Sequence, residues 1–400
     1  MKYYTTKLSV ASDRAIVADD MILTKEIPTA AGSKMLNGYV SLFEAAVLTR
    51  LRSNGYELAG KASVGEFAID LLGETSFCGA ELSDGKLTNS TAEILKAGDA
   101  MAAITLDVNG SVRRAAAQSG LVSVKPTYGT VSRYGTVPVA CSGETVSVMA
   151  STAADCETVL DVIAGHDDKD GTSLSDALCA QLKKDATVAP VRRVAILSDL
   201  KKGIDAEVEK KLTAARERLA ANGVEVVEIE NSVIAAARVA WNILMSAELC
   251  NNVSRYDGVK YGYRTEHFTN LDELYTNSRT EAFGELLKTA ILFGSETLST
   301  ENYMKVYDKA LRTRRVIVES FAKIFEDFDA VLIPAVSSMA YTEAQVKENK
   351  YLAFEENFYT APASVTGLPA VVAGGVQLIG KAFSDRALLD AAKLLEKEGK

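Results

Sequence analysis

The sequence predicts an α/β fold, a β-sheet whose strands are joined by crossover helices, and three observations predict it. A strand, helix, strand pattern reads twice, over residues 14–18, 41–53 and 56–60 and again over 193–197, 205–221 and 224–229. Short apolar runs alternate with amphipathic stretches of helical period, as crossover units require. A chain of 400 residues that is 48% hydrophobic also has ample material for a core.

Taken in order, Arg14-Ala15-Ile16-Val17-Ala18 reads as a buried strand running into Asp19-Asp20. The helix over 41–53 opens on a capping box, Ser41 with Glu44, and stops at Asn54-Gly55, where a left-handed residue closes it. A strand over 56–60 completes the first crossover. Residues 92–97 read as a helix and 102–106 as an apolar strand that delivers Ser111 to an alanine-rich helix, which Gly120 can close. An apolar stretch over 136–150 and a helix over 153–164 lead to Gly165-His166-Asp167-Asp168. Residues 172–189 are polar and read as an irregular connector.

The second strand, helix, strand unit follows, then helices over about 233–253 and 302–327 joined by helical pieces around 273–285. A buried strand over 330–333 ends at Pro334, a strand covers 374–379, and a helix covers 384–398. With no internal repeat, the chain reads as a single domain over 1–400. Its first portion covers about 14–165, the connector 166–190, and a C-terminal α/β portion 191–400.

Composition excludes several classes of function. A net charge of −9 and a pI near 5.1 argue against this chain being a main nucleic-acid surface, because phosphate contacts need clustered Lys and Arg. Cys78, Cys141, Cys156, Cys179 and Cys250 are odd in number and lack the paired spacing of a zinc site. Scattered thiols, no basic-then-apolar leader and no bilayer-length apolar run predict a cytoplasmic protein without a membrane span. With only His166 and His267, a histidine-based triad or multi-histidine metal centre has little material, and no cofactor is expected.

The chemistry centres on Asp107-Val108-Asn109-Gly110-Ser111-Val112-Arg113. A small-residue loop here places Ser111 at a helix start, where free backbone N–H groups converge. Such a serine is either a helix cap or an acyl-transfer nucleophile, with Val108, Asn109 and Gly110 supplying the oxyanion hole.

From Gly110 to Gly135 the chain reads GSVRRAAAQSGLVSVKPTYGTVSRYG, which resembles the amidase signature family. Residues 24–36, TKEIPTAAGSKML, and 254–264, SRYDGVKYGYR, carry the likeness further, the latter toward the tRNA-linked amidotransferase A subunits. The resemblance implies a large mixed, twisted sheet covered by helices on both faces. It also implies a relay in which a neutral lysine deprotonates a bridging serine, which then deprotonates the nucleophile.

Set against that relay, the bridging-serine position falls on Leu87 and the lysine position on Asp19. Neither residue supplies the family's group: leucine carries no hydroxyl, and an aspartate is a weak base at its ordinary pKa of about 3.9. Thr88 lies one residue out of register. Lys61 and Lys86 are the nearest lysines, and both are expected at the surface.

For substrate, the resemblance implies that Arg314 pairs with a glutamine α-carboxylate and that Asn357 stands where an acidic residue meets the α-amino group. Tyr263 is a candidate pocket wall. Plainer readings are a surface charge for Arg314 and core packing for Tyr263. The implied function is an amidotransferase A-subunit-like protein, hydrolytically impaired, with a scaffold or regulatory role beside B and C subunit homologues. The alternatives are a working glutamine amidohydrolase and a non-catalytic binder of a small amide or carboxylate.

Overall fold

The computed structural model describes residues 3–184 and 189–396. In the first portion the elements are β1 (Tyr4–Lys7), β2 (Ala15–Asp19), α1 (Ala46–Ser53), β3 (Glu57–Ala62), β4 (Leu82–Ser83), β5 (Lys86–Leu87), α2 (Ser90–Lys96), β6 (Ala102–Asp107), α3 (Ser111–Ser119), β7 (Val122–Lys125), β8 (Thr145–Ala150) and α4 (Ala153–Ile163). After α5 (Asp176–Lys184) come β9 (Arg193–Leu197), α6 (Ala206–Ala221), β10 (Glu225–Ile229), α7 (Ala237–Val253), α8 (Leu271–Ala282), α9 (Glu285–Thr297) and α10 (Asp308–Asp327). The last elements are β11 (Ala330–Pro334), α11 (Glu343–Glu348), α12 (Leu352–Thr366), β12 (Ala370–Ala373), β13 (Val376–Gly380) and α13 (Asp385–Lys393).

Eleven strands form one sheet in the order β1-β3-β2-β6-β8-β7-β12-β13-β11-β9-β10, and β4 pairs with β5 outside it. The sheet is mixed, with β2 parallel to β3 and β6, β9 parallel to β10 and β11, and antiparallel pairs elsewhere. Strand residues alternate between two cores. Val17, Ala103, Met149 and Val372 pack with α2 and α3 residues such as Leu95 and Ala115, whereas Ile16, Ile104, Val148 and Val371 pack with α1 and α4 residues such as Leu48 and Val159. Because neighbouring strand side chains point to opposite faces, helices cover both faces, as expected.

Several local expectations are corrected. The first helix starts at Ala46, its N-cap Ala45 makes no side-chain cap bond, and Ser41 Oγ instead accepts from the Phe43 N–H. The connector is not irregular throughout, since it contains α5; its residues 185–188 lie outside the described residues, as do 397–398 of the last helix. The strand expected over 374–379 begins at Val376, because Gly374 and Gly375, at φ 62° and 86°, form the two-residue turn of a hairpin with β12. Helices α9 and α12 and strands β1, β7 and β12 were not legible. Among the described residues no helix is long and apolar enough to cross a membrane, and all five cysteines are free thiols.

Candidate active site

Asp19 ends β2 and Asp107 ends β6, and these parallel neighbours pair Ala18 with Ile104. Both segments therefore leave the sheet at its carboxyl edge, where α/β sheets gather their sites. Gly110, at φ 80°, turns the chain from β6 into α3. A Cβ there would lie 2.4 Å from Thr360 Cβ, so only glycine fits both the backbone and the space. Ser111 becomes the first residue of α3, beside backbone N–H groups that have no helical acceptor.

Two buried arginines fasten this turn. Arg113 meets Asp107 through two hydrogen bonds and reaches α12 and β13 through Thr360 O at 2.7 Å and Gln377 Oε1 at 2.8 Å. Arg114 donates to the carbonyls of Leu71 at 3.0 Å and Asp70 at 2.9 Å. Burial raises the cost of a charge at Asp107, but Arg113 prevails and holds its carboxyl below the usual range.

Ser111 and Asp19 line one small cavity of about 10 Å³ together with Asp70, Asn89, Thr91 and Thr105. That is room for about one water. Asp19 is already committed, since its carboxylate accepts from Met21 N at 3.0 Å and Leu106 N at 2.7 Å. Burial pushes it up to about 7 against those bonds and the nearby Lys61.

Lys61 corrects the expectation of an exposed side chain. It is fully buried, with Nζ donating to Ile22 O at 2.7 Å and Thr29 Oγ1 at 2.5 Å and lying 3.1 Å from Asp20 Oδ1. Burial draws Lys61 below the usual lysine range and Asp20 above the usual carboxylate range, each opposed by the other. Lys86 is exposed, as expected. The cue for Lys61 was its place at the end of an apolar strand; the ion pair itself had no local signal.

The structure does not bring every expected residue to Ser111. Leu87 packs in the apolar cluster with Leu72, Val336 and Tyr341, its N–H donates to Tyr341 O at 2.8 Å, and it does not line the cavity. Asn89 and Thr91 are what that segment contributes. Thr88 Oγ1 is turned to Glu93 at 2.8 Å. Val108 and Asn109 are buried beside the turn, and the Asn109 carboxamide donates to Ile69 O at 2.7 Å and lies 2.6 Å from that of Asn357. Asn357, from α12, also lies 2.6 Å from the amide of Asn242 on α7. Three carboxamides thus close on one another behind the turn.

Arg314, part-buried on α10, donates to Ser142 O at 3.1 Å. Tyr263 donates to Glu281 at 2.5 Å and lies under Lys34 Nζ, 4.0 Å from its ring centroid. Neither is among the residues lining the Ser111 cavity. Asp70 and Thr91, which are among them, carry no local mark in the sequence; only the packing of α2 and the 65–75 segment against α3 reveals them.

A serine at the helix N-terminus of a mixed α/β sheet, with buried charge around it, fits the amidase family. The chain belongs to that family: the family model described as Amidase matches residues 16–89 and 90–389. More particularly, it is 36% identical over 408 residues to the glutamyl-tRNA(Gln) amidotransferase A subunit of Lachnoclostridium phytofermentans, covering 95% of this chain and 82% of that protein. The corresponding A subunit of Streptococcus pneumoniae is 33% identical over 407 residues, covering 97% of this chain and 83% of that one.

Among solved structures, the glutamyl-tRNA(Gln) amidotransferase A subunit of Thermotoga maritima superposes with a TM-score of 0.80 at 24% identity, over 100% of this chain and 88% of that one. Urea amidolyase of K. lactis superposes with a TM-score of 0.79 at 23% identity, over 95% of this chain and 22% of that one. These likenesses show the fold.

Proposed function

We propose that this chain is an amidotransferase A-subunit-like protein whose amide hydrolysis is impaired or lost and which acts as a scaffold or regulatory partner. The isolation of Ser111 carries this reading. Its hydroxyl makes no hydrogen bond to another described residue, and the space beside it takes one water, far less than a carboxamide side chain. A serine hydroxyl without a base is a weak nucleophile, and losing members of such a relay costs orders of magnitude. Leu87 sits in an apolar cluster and Lys61 is occupied by Asp20.

The partner half of the reading rests on surface chemistry. The relatives are named as A subunits, so B and C subunit homologues are the proposed partners. Residues 24–36 and 254–264 meet where Tyr263 N donates to Met35 O at 2.7 Å, and beside that junction Tyr39 contacts Tyr261 with ring centroids 5.6 Å apart. Leu42 (88% exposed), Phe43, Val259 and Tyr261 are large apolar side chains open to solvent on or near these segments. Exposed apolar side chains of this kind suit a protein partner.

A second reading, a working glutamine amidohydrolase, is favoured by one observation. Asp19, with its carboxyl at about 7, shares a cavity with Ser111 and would serve as the base. Ammonia release from glutamine, measured for the chain alone and with B and C homologues, separates the two. The expected result is no release above a Ser111→Ala control in any mixture, with the chain co-purifying with a partner. Release that disappears in the control would establish the second reading.

A further inference from the structure

From the cavity beside Ser111 we infer a second property, a binding site for a single ammonium ion held by Asp70 and the hydroxyls of Thr91 and Ser111. Asp70 is 1% exposed; its Oδ2 accepts from Thr75 N and Oγ1, both at 2.9 Å, while Oδ1 has no partner at all among the described residues. The hydroxyls of Thr91 and Ser111 make no hydrogen bond to another described residue. Thr105 Oγ1 donates to Ser147 O at 3.3 Å, which leaves its lone pairs free. All four residues line the same cavity of about 10 Å³. Buried acceptors of this kind are costly unless something donates to them.

Charge selects what fills the space. Asp20 and Lys61 offset each other. That leaves the carboxyls of Asp19, Asp70 and Glu74 against Arg114, whose guanidinium is directed to the backbone carbonyls of Leu71 and Asp70. Glu74 is satisfied by the N–H groups of Leu71, Leu72 and Gly73, and Asp19 by its own two. Asp70 Oδ1 is the acceptor left without a donor, and the positive charge that acts on its carboxyl is Arg114.

A water would supply donors but no charge. A divalent metal wants more carboxylates, and no group of three or more His, Cys, Asp or Glu side chains able to hold one occurs among the described residues. Ammonium is the size of one water, carries one positive charge and brings four N–H donors to a cavity lined by Asp70, Thr91, Thr105 and Ser111. Burial and the neighbouring Glu74 push the Asp70 carboxyl up to about 8, so without a cation beside it the carboxyl keeps a proton at neutral pH. Entry of ammonium exchanges one cation for that proton, which leaves Oδ1 for solvent. The site stands whether or not Ser111 turns over a substrate.

The test compares melting temperatures of the full chain at pH 8 in ammonium, sodium and potassium chloride at equal ionic strength. Ammonium is expected to raise Tm saturably by at least about 2 °C over the other two salts, as a ligand of the folded state does. Asp70→Asn and Thr91→Val are each expected to abolish that increment. An equal rise in sodium or potassium, or an increment that survives in Asp70→Asn, would overturn the assignment. Should Asp70→Asn not fold, Thr91→Val decides on the same criterion. A protected ¹⁵N-ammonium resonance in the wild-type chain gives a second readout, and its absence at saturating ammonium counts against the site.

Discussion

Asp107 and Arg113 face each other as a bidentate pair, Nε to Oδ2 at 2.8 Å and Nη2 to Oδ1 at 3.0 Å, with neither side chain exposed at all. The pair ties the end of β6 to the second residue after Ser111, and Arg113 carries that tie on to Ser364 Oγ at 2.7 Å. Arg113→Met is therefore expected to cost about 3–5 kcal/mol, because it strands a buried carboxylate and three further acceptors. Urea denaturation reads this directly, and a loss below about 1 kcal/mol would show that the clamp is not what holds the turn.

Gly110 offers a two-part substitution. Gly110→Ala places a Cβ at 2.4 Å from Thr360 Cβ and Oγ1 and holds alanine at φ 80°. The steric part belongs to Thr360 and the backbone part does not. Gly110→Ala is expected to fold poorly, and adding Thr360→Gly is expected to recover the steric share, leaving about 1–2 kcal/mol from the left-handed backbone relative to Thr360→Gly alone. Thermal unfolding of the single and double variants checks it, and equal stabilities for the two would count against the close approach.

Asp70 should leave a signature in stability against pH. Its folded carboxyl is raised from 3.8 to about 8 by burial and Glu74, so between those values the folded state holds a proton that the unfolded chain has released. Its contribution to stability is accordingly present below about pH 4 and lost as pH rises toward 8. Asp70→Asn keeps an acceptor for Thr75 and removes the titration. Wild type minus variant, measured from pH 4 to 9 without ammonium, is expected to fall by up to about 1.4 kcal/mol per pH unit. A flat difference would mean that Asp70 is ionised throughout.

Leu87→Ser restores a hydroxyl at the expected bridging position, yet Leu87 lies in the cluster with Leu72 and Tyr341 rather than in the Ser111 cavity. The variant is expected to lose about 2–5 kcal/mol through the lost apolar packing and to gain no ammonia release from glutamine. Recovery of glutamine turnover on that single change would show that the segment can swing its side chain to Ser111.

Much of the scaffold was legible because it is written locally. Strand β9, helix α6 and strand β10 follow from apolar runs, an Asp205 cap and the Asn222-Gly223 stop, all of which act within a few residues. Helix α12 is hidden because Pro362 lies inside it and its residues are buried nearly all round, which erases the helical period. Strand β1 is hidden because a four-residue edge strand has too little pattern to read.

The sequence by itself determined the order of most elements, the helix start at Ser111, the family likeness and the absence of a lysine at position 19. Only the tertiary structure decided where the charges went. Lys61 became a buried partner of Asp20, Leu87 was drawn into an apolar cluster, and Asp70 came to rest beside Ser111 with one oxygen unmet. The physical reason is that local propensity acts over a turn or a strand, whereas burial and charge pairing join residues tens to hundreds of positions apart, as Arg113 and Gln377 are.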